Sequence, residues 1–211
     1  MIRLNVTAQA LEFFLPLLHV GGVENIESTK LGGRFLVSMP GMEDPRFDRA
    51  VIYMCSHDEN GAMGVIINKT KGPFLSDMLE QTGIKASVAI ADSPVLDGGP
   101  VDINRGFVLH TADYYFPETC MRLSETLALS SDQDALISLT TDQAPDQAVL
   151  IVGYSGWAAG QLEHEIARNV WMVVDAPESL IFDKDMKTKW SRALGILGIT
   201  PDMLSGAGGR A

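Results

Sequence analysis

The sequence predicts an α+β fold. Apolar runs pair as hairpins across turn residues, and isolated segments of helical period stand between them. The regular alternation of strand and helix that builds a parallel sheet does not occur. A run of five apolar residues, Ala148 to Val152, leads through Gly153-Tyr154-Ser155-Gly156-Trp157 to Leu162, Ile166 and Val170 at helical spacing. We read it as a buried strand, a sharp turn at Gly153 and Gly156, and a helix whose first N–H groups lie beside the strand end.

Residues 1–30 read as an N-terminal extension, expected to be poorly ordered. Its apolar run Phe13-Phe14-Leu15-Pro16-Leu17-Leu18 is too short to span a membrane and is broken by Pro16. The flanks also lack the charge and cleavage pattern of a secretory signal. Residues 31–211 read as one folded domain, with no repeat or linker dividing it.

Arg34 to Ser38 is the first expected strand, and Ala50 to His57 the second. Strand alternation places Cys55 and His57 on one face. Asp58-Glu59-Asn60-Gly61 turns the chain into Met63 to Asn68, completing a hairpin. Pro73 can open a short helix through Met78 and Leu79 that Gly83 ends. Further extended segments are expected at Val88 to Ile90, Gly106 to His110, Glu125 to Leu129 and Val170 to Val174. Asp97-Gly98-Gly99-Pro100 reads as a tight turn, and Thr111 to Thr119 as irregular. Asp132 caps a short helix to Leu139, and a last helix covers Lys187 to Leu197 after a break at Pro177.

Composition narrows the function classes. Hydrophobic residues make up 46% and charged residues 20%, ordinary for a globular chain. The formal charge of −11 repels duplex DNA, and no Lys/Arg cluster offsets it locally, so direct DNA binding is not expected. Two cysteines, Cys55 and Cys120, do not make a disulfide framework, which points to reduced thiols and a cytoplasmic setting.

Several unusual blocks occur together in order: Met39-Pro40-Gly41-Met42, Cys55-Ser56-His57, and Asn60-Gly61-Ala62-Met63-Gly64 with Asn68. Gly98-Gly99-Pro100 with Arg105 to His110 follows, then Gly153 to Trp157 with Gly160-Gln161-Leu162-Glu163. Together they resemble the bacterial AlgH/YqgE family, from about Leu31 to the C-terminus. The resemblance implies a compact α+β domain with a bulky, barrel-like mixed sheet flanked by helices. Family members carry a transcriptional-regulator label based on genetic effects. The resemblance implies no reaction, cofactor or catalytic residue.

The chemistry-bearing residues are weighed on their own. Gly153-Tyr154-Ser155-Gly156-Trp157 mimics the G-x-S-x-G elbow of serine hydrolases, but Trp157 replaces the last glycine. His164 is also poorly placed to serve Ser155, so Ser155 reads as a helix N-cap. Cys55 beside His57 could form a thiolate pair, yet residues two apart on a strand are separated by about 7 Å. A small buried Cys55, with His57 at the strand end, explains them more simply. His19, His57, His110 and His164 are scattered, and Glu163-His164-Glu165 lacks the H-E-x-x-H spacing of a zinc helix, so no metal is expected. Gly98 and Gly99 with Arg105 would offer exposed backbone and a cation to an anion, but lack a P-loop ending. Gln161, Glu165 and Arg168 form a polar helical stripe, read as a solvated face or as the wall of a groove shared with Trp157.

The reading is a protein without catalytic residues or cofactor, acting as an indirect regulator through a protein or small-molecule contact. Its candidate ligand residues are His57, Asn68, Gly98, Gly99, Arg105, His110, Trp157, Gln161 and Glu165. The alternative is an enzyme whose polar cleft gathers His57, Arg105, His110 and Glu165.

Overall fold

The computed structural model describes residues 31–42, 44–88, 93–114 and 119–205. The leading extension and most of the expected Val88 to Ile90 strand lie outside these residues, as do four residues of the expected irregular connection. In chain order the strands are β1 (Arg34–Ser38), β2 (Val51–Asp58), β3 (Gly61–Ile66), β4 (Thr70–Phe74) and β5 (Pro94–Asp97). They continue with β6 (Val101–Thr111), β7 (Cys120–Arg122), β8 (Leu127–Ser130), β9 (Ala148–Ala158) and β10 (Trp171–Asp175). The helices are α1 (Leu75–Thr82), α2 (Gln133–Ser138), α3 (Gln161–Ala167), α4 (Glu178–Ile181), α5 (Lys189–Ile196) and α6 (Pro201–Ser205). The class is α+β, as expected.

The described residues form two compact units, each discontinuous in sequence. Unit A takes residues 31–69, Gly98–Val101 and residues 154–205; unit B takes Thr70–Asp97 and Asp102–Gly153. In unit A the strands run β10-β1-β2-β3-β9, all antiparallel. Leu36, Ile52, Met54, Ile66, Trp157, Leu162 and Trp171 form its core, with Ile166 and Val170 packed against them. In unit B β5 pairs antiparallel with β4 and parallel with the first half of β9, while β8 pairs antiparallel with β6 and β7. The parallel pair makes the strand pairing mixed. Leu75, Leu79, Val95, Val108, Leu136, Leu150 and Val152 build the core of unit B.

Local signals translate directly into several elements. Asp58 pairs with Gly61 across Glu59-Asn60, so the expected β2–β3 hairpin forms. Asp132 Oδ1 accepts the N–H of Ala135 at 2.8 Å and caps α2. Gly83, at φ 73°, ends α1 in the left-handed region. Pro73 does not open that helix: it lies in β4, and α1 starts at Leu75 after Asp77 accepts the Phe74 N–H.

The largest departure is the central junction. Gly153 to Trp157 is not a turn, because Gly64↔Ser155, Met63↔Gly156, Ala62↔Trp157 and Gly61↔Ala158 pair and carry β9 on to Ala158. Backbone pairing with β3 overrides the turn-forming glycines. The chain bends two residues later, at Ala159-Gly160, and Gly160 at φ 74° is the residue that precedes α3. Ser155 is therefore a mid-strand residue, not a helix N-cap.

Candidate functional site

Ser155 is 1% exposed, and its Oγ donates to the carbonyl of Gly98 at 3.2 Å. The same carbonyl accepts the N–H of Ile66 at 3.0 Å. A Cβ on Gly99 would lie 2.4 Å from Ser155 Oγ and 2.5 Å from Tyr154 O, and Gly99 holds φ 142°. Gly98 and Gly99 are thus buried backbone laid against β9, and at Gly99 only glycine fits. They do not present exposed N–H groups to an anion. Arg105 is half-buried in unit B, with its guanidinium 5.4 Å from the Phe107 ring centroid. The hydrolase-like motif and the double glycine are two halves of one structural splice.

Asn68 is also occupied by backbone. Its Oδ1 accepts from Val51 N and its Nδ2 donates to Arg49 O, both at 2.8 Å, which clips the start of β2 in place.

The β2–β3 register shifts between Met54 and Ser56, making Cys55 the extra residue of a β-bulge. An inserted residue reverses the alternation that follows it, so the expected common face for Cys55 and His57 is lost. Cys55 Sγ turns to Tyr53 O at 3.8 Å, and burial pushes its thiol up to about 12. His57, 3% exposed, reaches α3, where its Nε2 lies 3.0 Å from Glu163 Oε1. Since the carboxylate accepts, Nε2 donates, and the buried Nδ1 has no hydrogen-bond partner.

Glu165 is not part of a solvated stripe. Trp157 Nε1 and Trp171 Nε1 both donate to its Oε2, at 2.9 and 2.7 Å, and Gln161 Nε2 donates to its Oε1 at 2.9 Å. Gln161 Oε1 accepts the Ala158 N–H, tying the end of β9 to the first turn of α3. The two indoles meet edge to face, 6.0 Å apart at 82°. This arrangement locks a helix onto a sheet.

His110 has its own partners in unit B: Nδ1 with Thr111 O and Nε2 with Ser130 Oγ. His57, Glu165, His110 and Arg105 are therefore each engaged locally, the first two in unit A and the last two in unit B. Sequence reasoning missed Ser130 and Glu163 as partners of the two histidines, and Cys120 as a neighbour of Ser130. Strand pairing would have signalled Ser130 and Cys120, while Glu163 reaches His57 through the packing of α3 on the sheet. Among the described residues no group of three His, Cys, Asp or Glu could hold a metal ion, and no helix is long and apolar enough to cross a membrane.

An open surface remains in unit A. Ser56, Asp58, Ala62, Met63, Tyr154 and Val101 line a shallow concavity of about 510 Å³, with Gly61 and Gly156 in its floor. The pairs Ala62↔Trp157 and Met63↔Gly156 bring the two motif-rich strands side by side beneath it. Small residues keep the floor low, while Met63 and Tyr154 supply apolar surface.

The comparisons match this architecture. A UPF0301 protein of Caulobacter vibrioides is 43% identical over 191 residues, spanning 90% of this chain and 98% of the relative. One from Ruegeria pomeroyi is 44% identical over 182 residues, spanning 86% and 99%. The solution structure of the AlgH protein from Pseudomonas aeruginosa aligns with a TM-score of 0.69 at 34% identity, covering 90% of this chain and all of that one. A Corynebacterium diphtheriae crystal structure shares the fold, with a TM-score of 0.63 at 22% identity over 82% of this chain and 88% of that one. The AlgH-like family profile matches residues 35–202, and the chain belongs to that family.

Proposed function

We propose that this protein is a binding module, regulating indirectly through contact between the unit A concavity and a segment of a partner protein. The observation that carries this reading is the uncovered floor of small residues between β2, β3 and β9, beside apolar side chains and the exposed Asp58. Asp58, the neighbouring exposed Glu59 and the formal charge of −11 favour a segment with a cationic group next to an apolar one. The same charge disfavours duplex DNA. The enzyme reading is weaker, because its four polar residues are committed to local partners and Ser155 is buried against Gly98.

NMR titration with short peptides pairing Arg with Leu tests this. Perturbed amides should cluster at Ala62, Met63 and Tyr154, and the response should vanish in a folded Gly156→Trp variant, whose side chain projects into the concavity beside Tyr154 and Val101. Peptides with Gln for Arg should bind more weakly. Perturbations elsewhere, or equal binding by Gly156→Trp, would refute the proposal.

A further inference from the structure

Three side chains of unit B form a directed chain of hydrogen bonds that the proposed binding surface does not use. β8 lies between β6 and β7, and Ser130 is paired with Val108 on one side and Cys120 on the other. His110, two residues beyond Val108, shares its strand face and stands diagonal to Ser130. His110 Nδ1 is 2.8 Å from Thr111 O, its Nε2 is 2.9 Å from Ser130 Oγ, and Cys120 Sγ is 2.7 Å from the same Oγ. His110 and Ser130 are fully buried, and Cys120 is 7% exposed.

Counting hydrogens orders the chain. A carbonyl only accepts, so Nδ1 carries a proton; in the neutral ring Nε2 then accepts, and takes the one hydroxyl hydrogen of Ser130. The Cys120 S–H is left to donate into Ser130 Oγ. The same heavy atoms support a second arrangement, reached by moving one proton from Sγ to Oγ and one from Oγ to Nε2. Cys120 is then a thiolate and His110 an imidazolium, with both bonds through Ser130 reversed and neither lost.

We propose that Cys120 is a peroxide-oxidation site, its thiol ionised through Ser130 by His110. The thiolate attacks one oxygen of hydrogen peroxide; an S–O bond forms as the O–O bond breaks. Sulfur is oxidised to the sulfenic acid and peroxide is reduced. The departing hydroxide receives the proton held on His110, returned through Ser130, and leaves as water. Thiol plus peroxide becomes sulfenic acid plus water. Hydrogen peroxide is small enough for a side chain this enclosed, and β7 ends the strand order of the sheet. Cys55 is the contrast: it is equally buried, but its sulfur faces a backbone carbonyl, which cannot take a proton. Ser130 and His110 are positioning residues here, acting through the sulfur.

The test treats the reduced full chain with hydrogen peroxide, traps sulfenic acid with dimedone, and reads each cysteine by mass spectrometry. Cys120 should label about tenfold faster than Cys55, and Ser130→Ala should lower its rate by a similar factor while Ser130→Thr, which keeps the hydroxyl, restores it. Equal rates for the two thiols, or a folded Ser130→Ala oxidised at the native rate, would overturn the proposal. Should Ser130→Ala open the fold, Cys55 labelling rises with it and the decision passes to His110→Gln. Native-rate oxidation of Cys120 in that folded variant also overturns it.

Discussion

Ser155 Oγ donates to the carbonyl of Gly98, 57 residues away in sequence, and the close approach of β9 leaves no room for a side chain at Gly99. Ser155→Ala should cost only about 0.5–1.5 kcal/mol, because the Gly98 carbonyl keeps its bond from Ile66. Gly99→Ala should cost more, about 1–3 kcal/mol or above, since its Cβ meets β9 backbone at a strained φ. Gly156→Ala should be mild, with the Tyr154 ring at 3.3 Å as the nearest obstacle. Urea unfolding of the three variants checks the ranking. A Gly156 variant worse than the Gly99 variant would contradict it.

Glu165 receives two indole N–H groups, so its removal strands both. Glu165→Ala should destabilise by about 1–3 kcal/mol and alter the fluorescence of Trp157 and Trp171. Glu165→Gln, which retains one acceptor oxygen, should cost less. Equal losses for the two variants would show that the lock is packing rather than hydrogen bonding.

Lys189 supplies a pH signature. It is fully buried, its Nζ donates to Ile67 O and Ile181 O, and burial pulls its pKa from 10.5 to about 8. Between about 8 and 10.5 the unfolded chain binds more protons at this site than the folded one, so this lysine makes stability rise with pH. The neutral amine still has two N–H groups for its two carbonyls. Cys55 works in the opposite direction: its thiol is raised from 9.0 to about 12, so its contribution falls as pH passes through that window. The native protein should therefore gain stability relative to Lys189→Met between pH 7.5 and 10, by at most about 3 kcal/mol. A pH-independent difference would refute the assignment.

The purified protein should give no sequence-selective gel shift with duplex DNA at physiological salt. A salt-dependent, selective complex with a Kd at or below about 10⁻⁸ M would overturn this expectation.

The parts of the fold legible in advance are those governed by near neighbours. The Glu59-Asn60 hairpin, the Asp132 cap and the Gly83 helix end each depend on residues within a turn of one another, and each forms where its signal lies. The candidate site was legible only as residue types. His57, Asn68, His110, Trp157, Gln161 and Glu165 are all engaged in specific bonds, but those bonds hold strands and helices in place.

The sequence by itself determined the α+β class, the family blocks and the net negative charge, because composition, periodicity and short-range turn chemistry act along the chain. Only the tertiary structure decided that Gly153 to Trp157 stays extended, since β3 is distant in sequence and its pairing satisfies backbone groups that a turn would leave exposed. It alone decided that one inserted residue at Cys55 turns His57 toward Glu163, and that Cys120, Ser130 and His110 meet across three strands. Register is set by which strands become neighbours, and a shift of one residue in that pairing reverses every side chain beyond it.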